Sequence, residues 1–200
     1  MDWIGSNKTR VQLRWWLVGL PALLTVVSGT ALGQRTVVAA PIRSATLSFD
    51  GRATLGDFVG TTTTVSGEMT GGPSLAEVRG WVEAPVATLK TGNGRRDKDL
   101  NKSMESDSFP TLRFDLDRVR VQWERGDSAG VELAGRFTLH GVVQERTFDG
   151  AVVFEADGVR LTASLPLNLK DYKIGGLSKF LGTLKMHPDI VVHVDAVFGR

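Results

Sequence analysis

The sequence feature that most constrains the fold is a period-two alternation of apolar and polar residues, which begins near Ala45 and runs almost to the C terminus. In the segment 131–139 the odd positions hold apolar residues or glycine, and the even positions include Glu132, Arg136 and Thr138. The same alternation occurs in the segments 112–117, 119–123, 148–155, 159–167 and 190–198. A strand with this pattern has one buried and one solvated face. The chain is therefore predicted to be all-β.

Short turn sequences separate these alternating segments. His140-Gly141 and Asp157-Gly158 each lie between two of them, and Asp-Gly favours a tight hairpin because its residues tolerate positive φ angles. About eight strands with one apolar face each predict an antiparallel sandwich or a closed barrel. One helix is predicted over residues 95–108, because Leu100 and Met104 lie one turn apart and Asn93 can cap the first turn.

The N-terminal segment has a different composition from the rest of the chain. Lys8, Arg10 and Arg14 precede a stretch without charge from residue 15 to residue 34, which becomes rich in small residues after Val27. A secretory signal peptide typically has a basic region, then an apolar region of about a dozen residues, and then small residues at the cleavage site. Residues 1–33 are therefore predicted to be a signal peptide. An uncleaved membrane anchor is the alternative, because an apolar stretch of about 20 residues is just long enough to span a bilayer.

Both interpretations place the rest of the chain outside the cytoplasm, so we expect a periplasmic or secreted protein. Residues 34–43 are predicted to form a linker, and residues 44–200 a single barrel domain. Membrane association through residues 15–34 is expected only if that segment stays uncleaved.

Composition excludes several classes of function. The chain has no cysteine, which rules out disulfide frameworks, thiolate metal sites and cysteine nucleophiles. Of its 24 basic and 22 acidic side chains, three basic and one acidic fall within residues 1–33, so the remainder carries no net charge. A domain without net charge has no overall attraction for nucleic acid, and no nucleic-acid partner is predicted.

Apolar residues occupy every second position of each predicted strand, and these positions indicate which side chains face the barrel interior. Eight strands enclose a space that side chains can fill or that can hold one small ligand. Small inward residues such as Gly135 and Ala163 favour open space, whereas large neighbours on facing strands would fill it. If a cavity exists, its predicted lining is Val82, Phe114, Leu133, Phe137, Phe148, Val152, Leu161, Leu165 and Val194.

Several short motifs resemble the ordered signature of the YceI-like family. They are Thr91-Gly92-Asn93, Arg96-Asp97 with Leu100, Phe109-Pro110-Thr111 with Phe114, and Gly135-Arg136-Phe137-Thr138-Leu139-His140-Gly141-Val142. The later runs Leu169-Lys170-Asp171-Tyr172-Lys173-Ile174 and Phe180-Leu181-Gly182 are similar to a C-terminal stretch of some members. The resemblance covers about residues 44–200. One departure is Asp99, which stands where the family signature usually has a histidine.

The resemblance implies a lipocalin-like, extended antiparallel barrel with a short helical insertion. It also implies an exported, non-enzymatic protein that holds a polyisoprenoid or similar amphiphilic chain, such as a quinone or polyprenyl lipid, for sequestration or transport. The alternative hypothesis is a protein-interaction module whose barrel core is filled. Replacing Gly135 by leucine is expected to separate the two, since a cavity would accept the added bulk.

The remaining polar residues suggest little chemistry. Arg96, in a basic stretch from Lys90 to Lys102, is a candidate contact for a lipid head group, and a structural role is its alternative. His140, His187 and His193 lack the spacing of a metal site. Neither a G-x-S-x-G motif nor a phosphate-binding loop occurs. We therefore predict no enzymatic activity, no metal and no cofactor.

The loop after the alternating segment 159–167 carries three apolar or aromatic residues, Tyr172, Phe180 and Leu181. Such side chains on a loop can form a gate or partner surface, or can fold over the end of a barrel as a plug. Both possibilities stay open at the level of sequence.

Overall fold

The structure of the protein, a computed structural model, describes residues 36–175, 178–179 and 184–199. The predicted signal peptide, together with Phe180 and Leu181, lies outside the described residues. Within them the chain forms eleven strands and one α-helix, α1 (Gly94–Ser103). The strands are β1 (Ala40–Gly51), β2 (Phe58–Thr62), β3 (Ser66–Thr70), β4 (Arg79–Pro85), β5 (Thr111–Arg125), β6 (Ser128–Leu139), β7 (Val142–Glu155), β8 (Gly158–Asn168), β9 (Ser178–Lys179), β10 (Leu184–Lys185) and β11 (Asp189–Gly199).

Eight of these strands close into an antiparallel barrel. The chain of pairings runs from β11 through β8, β7, β6, β5, β4 and β3 to β1, and β1 also pairs with β11. The extra strand β2 pairs with residues 47–51 of β1, and β9 pairs with β10 in a separate small sheet. The prediction of an all-β barrel of about eight strands with one short helical insertion is confirmed.

The alternation seen in the sequence matches the burial of the strands. Along β6 the odd positions from Val131 to Leu139 are buried, whereas Arg136 is exposed. The apolar faces meet inside the barrel in two clusters, one toward the β6–β7 turn and α1, the other toward the β5–β6 and β7–β8 turns at the opposite end.

Gly135 has a different role from the one predicted. A Cβ at this position would lie 2.1 Å from the main-chain oxygen of Asp115 on β5. The register shifts at the same place, where Leu116 pairs with Gly135 and Arg118 with Ala134. Glycine is therefore required for close backbone approach beside a β-bulge, and the prediction that Gly135 makes room in the core is wrong. Replacement by leucine there would not distinguish an open core from a filled one.

The two turn predictions have different outcomes. His140 and Gly141 both have positive φ, 51° and 70°, and they join β6 to β7 as a two-residue turn. At the β7–β8 turn, Glu155 pairs with Gly158, so Ala156 and Asp157 form the loop without positive φ. The prediction of an Asp157-Gly158 turn was thus displaced by one residue. Gly158 is needed because a Cβ there would lie 2.2 Å from the main-chain oxygen of Phe198.

One junction of the barrel is paired over only part of its length. The ladder between β7 and β8 covers residues 150–155 and 158–163, and it stops before residues 142–149 of β7 find a partner on β8. The segment that follows β8, residues 169–174, contacts this part of β7, because the Gln144 side-chain amide donates a 2.8 Å hydrogen bond to the main-chain oxygen of Asp171. We call residues 169–174 the strap.

Candidate ligand-binding cavity

The barrel interior contains two neighbouring cavities. The first has a volume of about 320 Å³ and lies at the end of the barrel that carries α1 and the strap. The second has a volume of about 110 Å³ and extends toward the other end, where Val159 and Phe198 line it. Four side chains, Leu47, Leu112, Phe137 and Val192, line both cavities and so mark the junction between them.

All nine side chains predicted to line a cavity line the second one, and Phe137 lines the first as well. Phe114, Phe148, Leu161 and Val194 are only half-buried although they point into the barrel. Apolar inward side chains normally lose nearly all contact with solvent, so this residual exposure indicates space that the side chains leave unfilled. Contact of these residues with a ligand stays a prediction.

The wall of the first cavity was largely missed by sequence analysis. The missed lining residues come from barrel strands and also from the segments between them: Phe49, Ala53, Thr54, Leu55, Gly56, Phe58, Leu89, Leu100, Met104, Leu139, Leu169, Ile174, Met186 and Ile190. Leu100 and Met104 were visible as an apolar pair at helical spacing, which is the one signal that pointed to a helix packed against the core. The loop 52–57 and the strap carry no periodic pattern, so their side chains could not be placed from sequence.

Helix α1 forms one side of the first cavity and is fixed at its N terminus. The side-chain oxygen of Asn93 accepts hydrogen bonds from the main-chain N–H groups of Arg95 (3.0 Å) and Arg96 (3.2 Å), as predicted for a cap. The helix ends at Ser103, five residues earlier than predicted, because the chain turns through Met104 and Glu105, whose φ is positive.

Asp97 holds the start of α1 against the preceding loop. One of its carboxylate oxygens accepts hydrogen bonds from the main-chain N–H (2.9 Å) and the hydroxyl (2.6 Å) of Thr91. Both bonds favour the charged carboxylate, so the pKa of Asp97 lies below its ordinary value of 3.8. The Thr91-Gly92-Asn93 motif is thus a structural lock that orients the helix beside the cavity.

Arg96 lies half-buried in the wall of the first cavity. Its Nε donates to the Thr91 hydroxyl and one Nη donates to the Thr91 main-chain oxygen, both at 2.9 Å. Its guanidinium lies over the Phe58 ring, 4.2 Å from the centroid. In the described part of the chain these bonds use two of its five N–H groups. Arg96 therefore has a structural role, and it also presents a cation to the cavity.

Tyr172, a residue of the strap, closes the barrel beside β7. It is fully buried, and its ring meets Phe137 edge-on at a centroid distance of 5.8 Å. Its hydroxyl accepts a 3.1 Å hydrogen bond from Arg146 on β7, and its main-chain oxygen lies 3.0 Å from Nδ1 of His140. Burial raises the pKa of Tyr172, and Arg146 opposes that rise. Tyr172 thus acts as a plug, whereas Phe180 and Leu181 lie outside the described residues.

A hydrogen-bonded chain of Asp50, His193 and Ser164 lies on the outer face of the barrel, and sequence analysis missed it. The Nε2 of His193 is 3.1 Å from Asp50, and its Nδ1 is 2.8 Å from Ser164. Ser164 lies directly opposite His193 in the β8–β11 ladder. These polar neighbours join β1, β11 and β8, and they do not line either cavity.

Two other kinds of binding feature are absent from the same described residues. They contain no group of three or more histidine and carboxylate side chains arranged to hold a metal ion. They also contain no helix with the length and hydropathy needed to cross a bilayer.

Comparison with known families identifies the architecture. The family model of the YceI-like domain matches residues 39–198. The chain belongs to the YceI-like family. No curated protein matches it in sequence.

Solved structures share the YceI-like fold at low sequence identity. BcnA of Burkholderia cenocepacia has 13% identity and a TM-score of 0.65, over 76% of this chain and 95% of that one. A polyisoprenoid binding domain from Saccharophagus degradans, implicated in plant cell wall breakdown, has 15% identity and a TM-score of 0.67, over 82% and 98%. The YceI protein of Campylobacter jejuni has 16% identity and a TM-score of 0.54, over 68% and 81%. These similarities establish a common fold.

The YceI-like signature has a clear place in this barrel. Thr91, Asn93, Arg96 and Asp97 form the lock beside the first cavity, and the His140-Gly141 turn holds the strap through Tyr172. The departure at Asp99 also lies in the cavity wall. The signature residues therefore shape one end of the cavity.

Proposed function

We propose that this YceI-like protein is an exported lipid-binding protein that holds the apolar chain of a polyisoprenoid, such as a quinone or polyprenyl lipid, inside its barrel. The observation that supports this most directly is the pair of apolar cavities that meet at Phe137. A volume of about 320 Å³ falls within the range of known small-molecule sites, roughly 300–1,000 Å³. The protein would sequester or carry its lipid without making or breaking a bond.

The wall chemistry selects an apolar guest. Most side chains that line the second cavity are leucine, valine and phenylalanine, which offer a ligand no hydrogen-bond partner, and Glu68, Arg79 and Trp81 are the lining residues with polar side-chain atoms. Each methylene group transferred there from water contributes about 0.8 kcal/mol. A polar group placed at that depth would lose its hydration without compensation. The deep end of the barrel therefore suits a hydrocarbon tail.

Polar side chains of the first cavity suggest the orientation of the guest. Asn93, Arg95, Arg96 and Asp99 all lie in its wall, next to the loop 52–57. Among the described residues, Thr91 accepts from two N–H groups of Arg96 and holds its side chain in place, which leaves other N–H groups of the guanidinium for a ligand. An amphiphile would therefore place its polar end near Arg96 and extend its tail past Phe137 into the second cavity. A phosphate, carbonyl or hydroxyl head group could each accept from this arginine.

The alternative of a protein-interaction module with a filled core fits less well. It requires a barrel packed throughout by its own side chains, whereas the two cavities here occupy the centre. Export rests on the N-terminal segment alone, which has the composition of a signal peptide or an anchor. Intact mass of the protein purified from its host decides this point, because cleavage after Gly33 would remove residues 1–33.

Native mass spectrometry and lipid extraction of protein purified from its own host test the proposed function. We expect a bound apolar lipid, and saturable uptake of added decaprenol or a long-chain quinone by the delipidated protein. Protein that carries no apolar guest and takes up none of these probes would overturn the proposal.

Two matched substitutions locate the binding site. Val192→Trp places a large side chain at the junction of the two cavities, so uptake should fall by about tenfold or more. Val153→Trp makes the same change at an exposed position on β7 that lines neither cavity, and it should leave uptake intact. Circular dichroism spectra of both variants serve as the control that the fold is retained. Equal uptake by the two folded variants would place the lipid outside the barrel.

A further inference from the structure

The loop beside the first cavity exposes a large apolar side chain in a defined position. Leu55 is 82% exposed, and it lies in the wall of the cavity at its outer edge. Most large apolar residues of the described chain are buried or half-buried, so this exposure is unusual for a side chain so close to an opening. Loops that a rigid scaffold positions often carry the residues that make binding contacts.

The loop is held in shape by the rest of the protein. The N–H of Gly56 donates a 3.0 Å hydrogen bond to the oxygen of Ala53, which forms a turn with Thr54 and Leu55 at its tip. Gly56 has a φ of 116°, a conformation that glycine adopts readily. The N–H of His187 donates a 2.8 Å hydrogen bond to the oxygen of Arg52, and Ala53 forms a bridge with Met186. Leu55 is therefore presented outward by local structure.

Basic side chains outnumber acidic ones in the stretch of chain beside the same opening, where Arg95, Arg96 and the acidic Asp99 line the cavity. The stretch from Lys90 to Lys102 contains five basic and two acidic residues, a net charge of +3. Arg95 is exposed in the cavity wall, and Lys98 is exposed one turn further along α1. The carboxylate of Asp97 is occupied by Thr91. The acidic Glu105 follows the other end of α1, where it lies 3.6 Å from His140.

We propose that Leu55, Arg95 and Lys98 form a docking surface for an anionic phospholipid bilayer, which we call the mouth surface. An exposed apolar side chain enters the boundary between head groups and acyl chains, and nearby cations are attracted to anionic lipids. This inference rests on the proposed function, since docking at the cavity opening would let a lipid pass between bilayer and barrel without crossing water. A bilayer accounts for both halves of the surface, because it offers hydrocarbon beneath a layer of negative charge.

The absence of cysteine from the chain allows a direct test. Leu55→Cys provides a single site for a polarity-sensitive fluorophore in the protein as purified from its host. Vesicles of equal parts phosphatidylcholine and phosphatidylglycerol should raise its emission and shift it to the blue, and brominated lipids should quench it. Because the fluorophore reports only the surroundings of position 55, the result does not depend on whether the N-terminal segment is retained.

Control positions separate docking at the mouth from general adhesion. The same label at Val153→Cys, on the exposed face near the opposite end of the barrel, should not respond. Adding Lys98→Glu to the Leu55→Cys protein should weaken vesicle binding by roughly tenfold, since each basic residue near an anionic surface contributes to the attraction. Arg118→Glu, the same charge change on an exposed part of β5, should have little effect.

The outcomes distinguish this inference from the proposed function. Uptake of decaprenol from detergent solution, with no response at position 55 to vesicles, would overturn the docking surface and leave lipid binding standing. An equal response at positions 55 and 153 would also overturn it. Failure of the wild-type protein to take up decaprenol from detergent solution would instead count against the proposed function.

Discussion

Ala163→Leu tests whether the barrel interior is open in solution. Ala163 lies on β8 and faces the second cavity, and its partner on β7 is Gly150, so no side chain lies directly opposite it in the ladder. A leucine at this position adds three carbon atoms to the cavity. In an open barrel the added carbons would fill empty space, whereas in a filled barrel they would displace other side chains.

The size of the effect follows from the cavity volume. Burying three more carbons is worth roughly 2.4 kcal/mol, taking about 0.8 kcal/mol for each. Removing a cavity of about 110 Å³ is worth up to about 2.6 kcal/mol at roughly 24 cal/mol per Å³. Ordering the leucine side chain costs about 0.5–1 kcal/mol. We therefore expect the free energy of unfolding of the lipid-free protein to rise by about 1.5 kcal/mol.

Ala196 provides a matched control on the neighbouring strand β11. It points inward like Ala163, but it is fully buried and lines neither cavity. Ala196→Leu should therefore overpack the core and lower the free energy of unfolding by about 1–3 kcal/mol. The same chemical change is thus expected to have opposite signs at two inward positions.

Urea unfolding of the delipidated variants measures both values, with the slope m checked for equality. Ala163→Leu should also weaken decaprenol uptake, since it occupies the space of the tail. Loss of stability in Ala163→Leu as large as that in Ala196→Leu would refute the open interior, and with it the proposed function.

Three further predictions follow from the hydrogen bonds and close contacts of the barrel. Asp97→Asn should lower the free energy of unfolding at pH 7. Because the folded pKa of Asp97 lies below 3.8, the stabilisation by its carboxylate is present above that pH and is lost as the pH falls through the folded pKa. The free energies of unfolding of wild type and variant, measured in urea, should therefore converge in acid. Tyr172→Phe should cost about 1 kcal/mol at pH 7 through loss of the bond to Arg146. The raised pKa of Tyr172 means that its stabilisation is complete below pH 10.0 and is lost as the pH rises through the folded value, so the variant should lose less stability in alkali than wild type. Gly135→Ala should lower the free energy of unfolding by more than about 2 kcal/mol, because its Cβ meets a main-chain oxygen at 2.1 Å, and an unchanged melting temperature would contradict this placement.

The barrel and the inward faces of its strands were predictable because both depend on local pattern. Side chains point alternately to the two faces of a strand, so the position of Phe114 or Val194 in the alternation places each side chain on the interior face, whichever strand lies beside it. The helix start was predictable for the same reason, since Asn93 caps residues only two and three positions away. The ordered YceI-like motifs added the expectation of a lipid ligand.

The first cavity was not predictable to the same degree. Its wall combines the loop 52–57, α1, the strap and Met186, which are distant in sequence and meet only after the barrel has closed. The strap covers the unpaired part of β7 through contacts of Tyr172 with His140 and Arg146, and the spacing of these residues carries no periodic signal. The role of Gly135 could not be read from the sequence, because glycine occurs both where a core needs room and where two backbones approach closely.

By itself the sequence determined which face of each strand is apolar and where α1 begins, since these properties depend on residues a few positions apart. Tertiary structure alone decided whether the space between the inward faces is empty. That space is the difference between the volume that the closed barrel encloses and the summed volume of the side chains from eight strands. No single segment of the sequence determines either of these volumes. It also decided that Leu55 faces solvent beside the opening, because the turn that presents it is anchored to residues 186 and 187 at the far end of the chain.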